Sequence, residues 1–258
     1  MSNPMLVDEY VRCGNYVGNY QKNGKIDLSS LGFVNLTTLV PLCSLITSNA
    51  KNYIPPNNND VSMYVDTIIG GTGSSTYSPL VDLPKDKTKR EEALQKVYRL
   101  QQNDPFFFGG EDAFKYVVHE MTDNIYEHSN FSRATIASQK YKSAGYVDLC
   151  IHDNGITIPA SLGNKGHKFE PHKAIAEAIN GLSAKDDSRG FGLRTSVRLC
   201  LEGLHGEILV VSGAGAVHFE GTTKTLYNLT GSHVLKGTLV SLRVPLVTSK
   251  IDIYDYVE

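Results

Sequence analysis

Residues 111–128 read EDAFKYVVHEMTDNIYEH, and this stretch decides the fold. Its apolar residues recur at spacings of three and four, which predicts an amphipathic helix with one buried face. These apolar residues are Phe114, Val117, Val118, Met121 and Ile125. Four polar side chains at i, i+3, i+4 and i+7 share one flank of the same helix. They are Glu120, Asp123, Asn124 and Glu127.

The segments after this helix predict a layered structure. Apolar runs at 134–141 and 146–152, joined by a Ser-Ala-Gly turn, predict an antiparallel pair of strands. The same reading predicts helices near 171–180 and 194–202, and strands near 207–212 and 238–244. Elements in this order predict an α/β (α+β) fold, a two-layer sandwich with helices on one face of a mixed sheet.

Glu120 and Asn124 lie one helical turn apart. A carboxylate and an amide at this spacing can hold a hard cation such as Mg²⁺ together with a water molecule, and the carboxylate can orient or deprotonate that water. Taken alone, the pair is more typical of a solvated helix flank.

Asp153-Asn-Gly155 follows the apolar strand at 147–151. A buried carboxylate at a strand end can accept a hydrogen bond from an exocyclic amine such as that of adenine, and the glycine lets the backbone approach the ring closely. The alternative is an ordinary Asp-Asn-Gly turn.

A third motif, Gly190-Phe-Gly192-Leu193, opens a helix. Glycines before a helix free the backbone to wrap phosphate oxygens, and the first turn of the helix adds N–H donors. Lys185 is a nearby cation. The motif is neither a Walker loop nor a dinucleotide-binding fingerprint, and by itself it is weak.

In their order and spacing these motifs resemble the GHKL ATPases, which include DNA gyrase, heat-shock chaperone ATPases, histidine kinases, mismatch-repair ATPases and anti-sigma serine kinases. The resemblance covers roughly residues 105–248. It implies that Asn124 is the magnesium ligand and Glu120 the general base for hydrolysis. It also implies that Asp153 accepts from the adenine amino group, with Gly155 beneath the ring.

The same resemblance assigns Gly190, Gly192 and Leu193 to the phosphates and Thr238 to the support of the adenine end. Residues 156–189, including Lys185, would form a mobile lid over ATP. One departure from the family pattern is Thr157, which stands where the second glycine of Asp-x-Gly-x-Gly is usual.

The N-terminal part carries a weaker resemblance. Residues 25–46 are similar to a degraded STAS segment, in which a Ser or Thr at the turn can be phosphorylated by a GHKL kinase. Thr37 or Thr38 would be that residue. The alternative is plain α/β packing with hydroxyls that cap the backbone. The expected organisation is a STAS-like α/β domain (1–82), a connecting helix (83–104), the GHKL domain (105–248) and a C-terminal tail (249–258).

Composition excludes several classes of protein. The chain has 258 residues, 41% of them hydrophobic, so wholesale disorder is excluded. Its net charge of −2 argues against a nucleic-acid-backbone binder. The cysteines have neither a zinc spacing nor a dense disulfide framework: Cys13, Cys43, Cys150 and Cys200. Without a signal sequence or a membrane-spanning run, we expect a cytoplasmic protein with no membrane contact.

The resemblance implies a protein that binds Mg²⁺ and ATP, hydrolyses ATP slowly and acts as an ATP-gated regulatory or signalling switch. Two alternatives stay open at this point: a serine/threonine kinase of the anti-sigma type and a non-catalytic nucleotide sensor. Autophosphorylation on a dimerising hairpin is not expected, because the first histidine of the chain is His119. The expected partners are ATP or ADP and a protein, with a STAS-type protein and a second copy of the chain as candidates.

Overall fold

The computed structural model describes residues 4–99, 110–182, 191–246 and 250–256, with the side chain of Phe191 excepted. These residues form the helices α1 (Leu6–Asn23), α2 (Leu36–Ser48), α3 (Asn59–Gly70), α4 (Arg90–Tyr98), α5 (Glu111–Asn124), α6 (Ile158–Gly163), α7 (Pro171–Ile179) and α8 (Phe191–Arg198). The strands are β1 (Ile26–Asp27), β2 (Tyr53–Ile54), β3 (Val81–Asp82), β4 (Ala134–Tyr141), β5 (Tyr146–Asp153), β6 (Glu207–Ser212), β7 (Gly215–Glu220), β8 (Thr223–Asn228) and β9 (Thr238–Pro245).

A seven-stranded sheet in the order β3-β4-β5-β9-β6-β7-β8 organises the fold. The predicted α/β (α+β) class with an antiparallel strand pair is confirmed. The prediction of a mixed sheet is wrong, because every neighbouring pair in this sheet is antiparallel. Tight turns join β4 to β5, β6 to β7 and β7 to β8, and so short a connection cannot return the chain in parallel. The short pair β1–β2 is parallel.

Helices cover both faces of the sheet. On one face α4, α5, α7 and α8 contribute to a core with residues such as Leu149 and Val210. On the other, α1, α2 and α3 form a second core with Cys150 and Val211. The described helices of residues 105–248 lie on one face of the sheet, as expected, and the N-terminal helices α1, α2 and α3 cover the other face. Successive residues of the central strands are apolar and point to opposite faces, so both faces need a cover.

The N-terminal residues thus pack on the same sheet as the C-terminal helices. Thr37 Oγ1 lies 2.6 Å from Ser241 Oγ of β9, and Thr38 Oγ1 donates to the Glu9 carboxylate at 2.8 Å. Both threonines are fully buried. Their hydroxyls therefore favour the packing interpretation over a phosphorylation site, while the STAS-like character of residues 1–82 stays a prediction.

Between the two sets of helices, the predicted connecting helix is shorter than 83–104. A 3₁₀ turn at Lys87–Lys89 leads into α4, and residues 100–109 lie outside the described part of the chain. β3 pairs with β4 and so joins residues 81–82 to the large sheet. None of the helices in the described ranges is long and apolar enough to cross a membrane.

Candidate functional site

A cavity of about 310 Å³ lies among α5, α6 and α8 and the strands β5, β6 and β9. This volume is within the range of small-molecule sites, which runs from about 300 to about 1,000 Å³. Six of the predicted site residues line it, from well-separated parts of the sequence: Glu120, Asn124, Asp153, Gly192, Leu193 and Thr238. Lys185 and Gly190 lie outside the described residues, and Gly155 is not part of the cavity wall.

Glu120 and Asn124 present the polar flank of α5 to the cavity. The Asn124 Nδ2 atom is buried and has no hydrogen-bond partner among the described residues. Such an orphan donor costs free energy in an apo protein, which is typical of a group that meets a ligand. Burial raises the pKa of Glu120, and the nearby carboxylates of Asp123 and Glu127 raise it further.

After Asn124 the helix widens into a π-helical turn at Ile125–Ser129. Turns of this kind are frequent at functional sites. Ser129 is thereby brought beside the end of β5, and its backbone carbonyl accepts from the Ile156 N–H at 2.6 Å. Sequence reasoning missed Ser129, because its role depends on this irregular turn.

Asp153 ends β5 and is 2% exposed. The Gly155 N–H donates to its Oδ1 at 2.8 Å, and the nearby Ser129 hydroxyl, which donates to the Ile125 carbonyl at 2.9 Å, also favours the ionised form. Burial nevertheless raises the pKa of Asp153 to about 6. The carboxylate is thus buried beside the cavity with neutral partners.

Gly155 supports this site without lining the cavity. A Cβ at this position would overlap the Ser129 backbone carbonyl, so only glycine lets the turn after β5 pack against the end of the helix. The structure therefore gives Gly155 a packing reason, together with its N–H bond to Asp153.

Thr238 begins β9 and is the direct partner of Asp153 in the β5–β9 ladder. Its hydroxyl lies 2.8 Å from Ser212 Oγ, which also accepts from the Ile158 N–H at 2.8 Å. Ser212 is a second residue that sequence reasoning missed, since it ends a strand with no motif around it. Together these hydroxyls tie β9, β6 and α6 at the edge of the cavity.

The glycine motif differs from the expectation in one respect. Gly192 and Leu193 lie inside the first turn of α8, which begins at Phe191, and not in a loop before it. A Cβ on Gly192 would overlap the Glu120 carboxylate. The glycine therefore allows α8 to approach Glu120, and the first turn of α8 faces the same cavity.

The described part of the expected lid, residues 156–189, contains the helices α6 and α7 with a mostly exposed loop at 164–170 between them. Thr157 caps α6 by accepting from the Ala160 N–H at 3.2 Å, which explains a threonine at that place in the motif. Leu162 of α6 and Ile175 of α7 are buried. Both helices therefore pack against the core in this structure, while the mobility expected of a lid stays a prediction, and residues 183–189 lie outside the described residues.

Within the described ranges, no group of three or more His, Cys, Asp or Glu side chains is arranged to hold a metal ion. Mg²⁺ commonly binds through one or two protein oxygens together with substrate phosphates and water. The carbonyl oxygen of Asn124 fits that role.

The buried Asp153 carboxylate predicts an unusual response of the apo protein to substitution. Because its pKa is raised in the folded state, the ionised form opposes folding, and the stability lost appears as pH rises from about 4 through about 6. We expect Asp153→Asn to stabilise the apo protein at about pH 7.5, on the order of 2 kcal/mol, and to change little near pH 4. Urea unfolding at both pH values measures this difference, and destabilisation at both would contradict it.

Comparison of the chain with protein-family models, with curated proteins and with solved structures gives no match. The likeness to the GHKL ATPases therefore stays a prediction from the sequence motifs. A functional proposal depends on the residues that line the cavity.

Proposed function

We propose that this protein binds ATP with Mg²⁺ in the cavity, hydrolyses it slowly and acts as an ATP-gated regulatory switch with a GHKL-like domain. The observation that carries the proposal is the Asp153 carboxylate, 2% exposed, with the neutral Gly155 N–H as its hydrogen-bond donor and a pKa raised to about 6. Retaining such a group costs stability, and a carboxylate that accepts from a ligand amine accounts for it.

The apolar part of the cavity wall suits a purine base. The cavity wall includes apolar side chains suited to the faces of a flat ring: Met121, Ile156, Leu162, Val210 and Val240. Apolar walls with a few fixed polar groups are typical of small-molecule sites. Asp153 would accept from the exocyclic amine, and Thr238 beside it would support that end of the base.

The polar groups of α5 that line the cavity suit the phosphates. Asn124 would hold Mg²⁺, which when bound neutralises phosphate charge in the transition state. Glu120 would orient and deprotonate the attacking water, for which a raised pKa is favourable. The first turn of α8 supplies backbone N–H groups and a partial positive charge near the same place.

Thermal unfolding with Mg²⁺ and ATP tests the proposal. A ligand at about 100 times its Kd adds about 2.7 kcal/mol to the free energy of unfolding. For a chain of this size each kcal/mol raises the Tm by about 2 to 4 °C. We expect an ATP-dependent rise in the wild type and none in Asp153→Asn.

Asp82→Asn is the matched control, because Asp82 is an exposed aspartate that pairs with Arg133 at 2.8 Å, outside the cavity wall. It should keep the full ATP-dependent rise. An equal rise in Asp153→Asn would contradict the assignment of the base to Asp153.

A further inference from the structure

Arg90, the first residue of α4, contacts the helix that carries Glu120 and Asn124. Its side chain is nearly buried, with the residue 7% exposed. One guanidinium nitrogen donates to Asp123 Oδ1, and another lies 2.7 Å from His119 Nε2. The guanidinium also lies 6.0 Å from the ring centre of Tyr126.

The neighbours of Arg90 bind the same side of the helix. Lys87 pairs with Asp123 Oδ1 and lies 3.9 Å from Glu127. The Tyr126 hydroxyl donates to the Pro84 carbonyl at 2.6 Å. Contacts from residues 84–90, which lie outside the cavity wall, therefore hold the C-terminal half of α5 and its π-helical turn in place.

The two residues that Arg90 contacts on α5 have a particular relation to the site. His119 directly precedes Glu120, and Asp123 directly precedes Asn124. A rotation of α5 that carried His119 and Asp123 away from Arg90 would carry Glu120 and Asn124 away from their positions in the cavity, because neighbouring side chains of a helix turn together.

Stability alone does not explain this arginine well. The Arg90 Nε atom is buried and has no hydrogen-bond partner among the described residues. A buried guanidinium with an unsatisfied donor is costly, and apolar packing often serves stability as well or better.

We propose that Arg90 is a positioning residue for ATP hydrolysis. By binding His119 and Asp123 at the same time, it fixes the rotation of α5 at which Glu120 and Asn124 face the substrate. This inference rests on the proposed function. Arg90 acts through its two contacts on α5 and is not part of the cavity wall.

Arg90 also sets the charge around Glu120. Burial, Asp123 and Glu127 raise the pKa of Glu120, whereas Arg90 and Lys87 lower it. Tyr116 is also coupled to Glu120, and Gly192 of α8 faces the carboxylate without a charge. A base must be ionised, so loss of the Arg90 charge should move the acid limb of the pH–rate profile to higher pH.

The test compares Arg90→Gln and Arg90→Lys with wild type in the full-length protein. Calorimetry with Mg²⁺ and ATP gives the affinity, and phosphate release over about pH 5.5 to 9 gives the rate profile. Lys115→Gln is the matched control, because Lys115 is a partly exposed cation on the same helix, paired with Glu111 at 2.6 Å.

We expect Arg90→Gln to keep the ATP affinity within about threefold, to lower the rate by about 10- to 100-fold and to shift the acid limb upward. Arg90→Lys keeps the charge but loses the planar fork that reaches both partners. It should keep the wild-type limb and still lose rate, and its retained charge makes it the variant of reference if Arg90→Gln does not fold.

Two results would overturn the positioning role separately from the proposed function. If the wild type hydrolyses ATP and both Arg90 variants match it in rate and pH profile, Arg90 positions nothing. The same conclusion follows if Tm, affinity and rate fall together with an unchanged profile in both. A wild type that binds no ATP or releases no phosphate overturns the proposed function, and the positioning role falls with it.

Discussion

Glu120→Gln should lower the rate of phosphate release by at least about 100-fold, because general-base catalysis contributes about 10²- to 10⁴-fold. Glutamine keeps the size of the side chain beside Gly192 but cannot take a proton from water. Since Glu120 would act on water and not on the nucleotide, the affinity for ATP with Mg²⁺ should stay within about threefold. Phosphate release at saturating ATP, with a parallel titration, measures both.

Glu111→Gln is the control for this variant, since Glu111 is a carboxylate on the same helix that pairs with Lys115. It should hydrolyse ATP like the wild type. An unchanged rate in Glu120→Gln would exclude Glu120 as the base. Transfer of the γ-phosphate to a protein that persists in this variant would favour the kinase alternative.

The largest effect on stability is expected at the buried ion pair between Arg243 of β9 and Asp148 of β5. Arg243 donates to both carboxylate oxygens, at 2.8 and 3.0 Å, and to the Pro4 carbonyl at 2.7 Å. Asp148 is fully buried. Arg243→Met leaves that carboxylate without its cation, and breaking a buried pair in this way costs about 3 to 5 kcal/mol.

The loss should depend on pH. Burial raises the pKa of Asp148 to about 6 even though Arg243 lowers it. Without Arg243 this pKa rises further, so the folded state of the variant favours the protonated acid and its deficit grows as pH rises above about 6. Urea unfolding at about pH 5 and about pH 8 measures the difference.

The double variant Arg243→Met with Asp148→Asn should recover part of the loss, because it removes the unpaired charge. Arg198→Met is the comparison on the surface, where the Arg198–Glu202 pair is partly exposed. Its cost should be no more than about 1 kcal/mol. A similar cost for both arginines, or no pH dependence, would contradict this interpretation of the Arg243 pair.

The sequence predicted the elements around the site well, for a physical reason. In α5 the apolar spacing is regular, and β4 and β5 are apolar runs with a turn between them, so local periodicity decides each element. The arrangement of layers was not predictable in this way. Adjacent strand residues such as Val210 and Val211 face different helices, and an apolar run does not say which element covers which face.

At the site, the predicted residues that line the cavity were found through motifs, whereas their supports were not. Ser129, Ser212 and Arg90 act through contacts between segments far apart in the chain. No local pattern marks such residues, because a hydroxyl or a cation at a helix end is common. The packing reason for Gly155 was likewise visible only once Ser129 lay beside it.

Binding of ATP is the central claim, and isothermal calorimetry with Mg²⁺ on the wild type and Asp153→Asn tests it most directly. We expect saturable binding with one site in the wild type and a loss of affinity of at least about 100-fold in the variant, since the buried acceptor for the base amine is gone. The absence of binding by the wild type at millimolar ATP, or equal binding by both proteins, would contradict it.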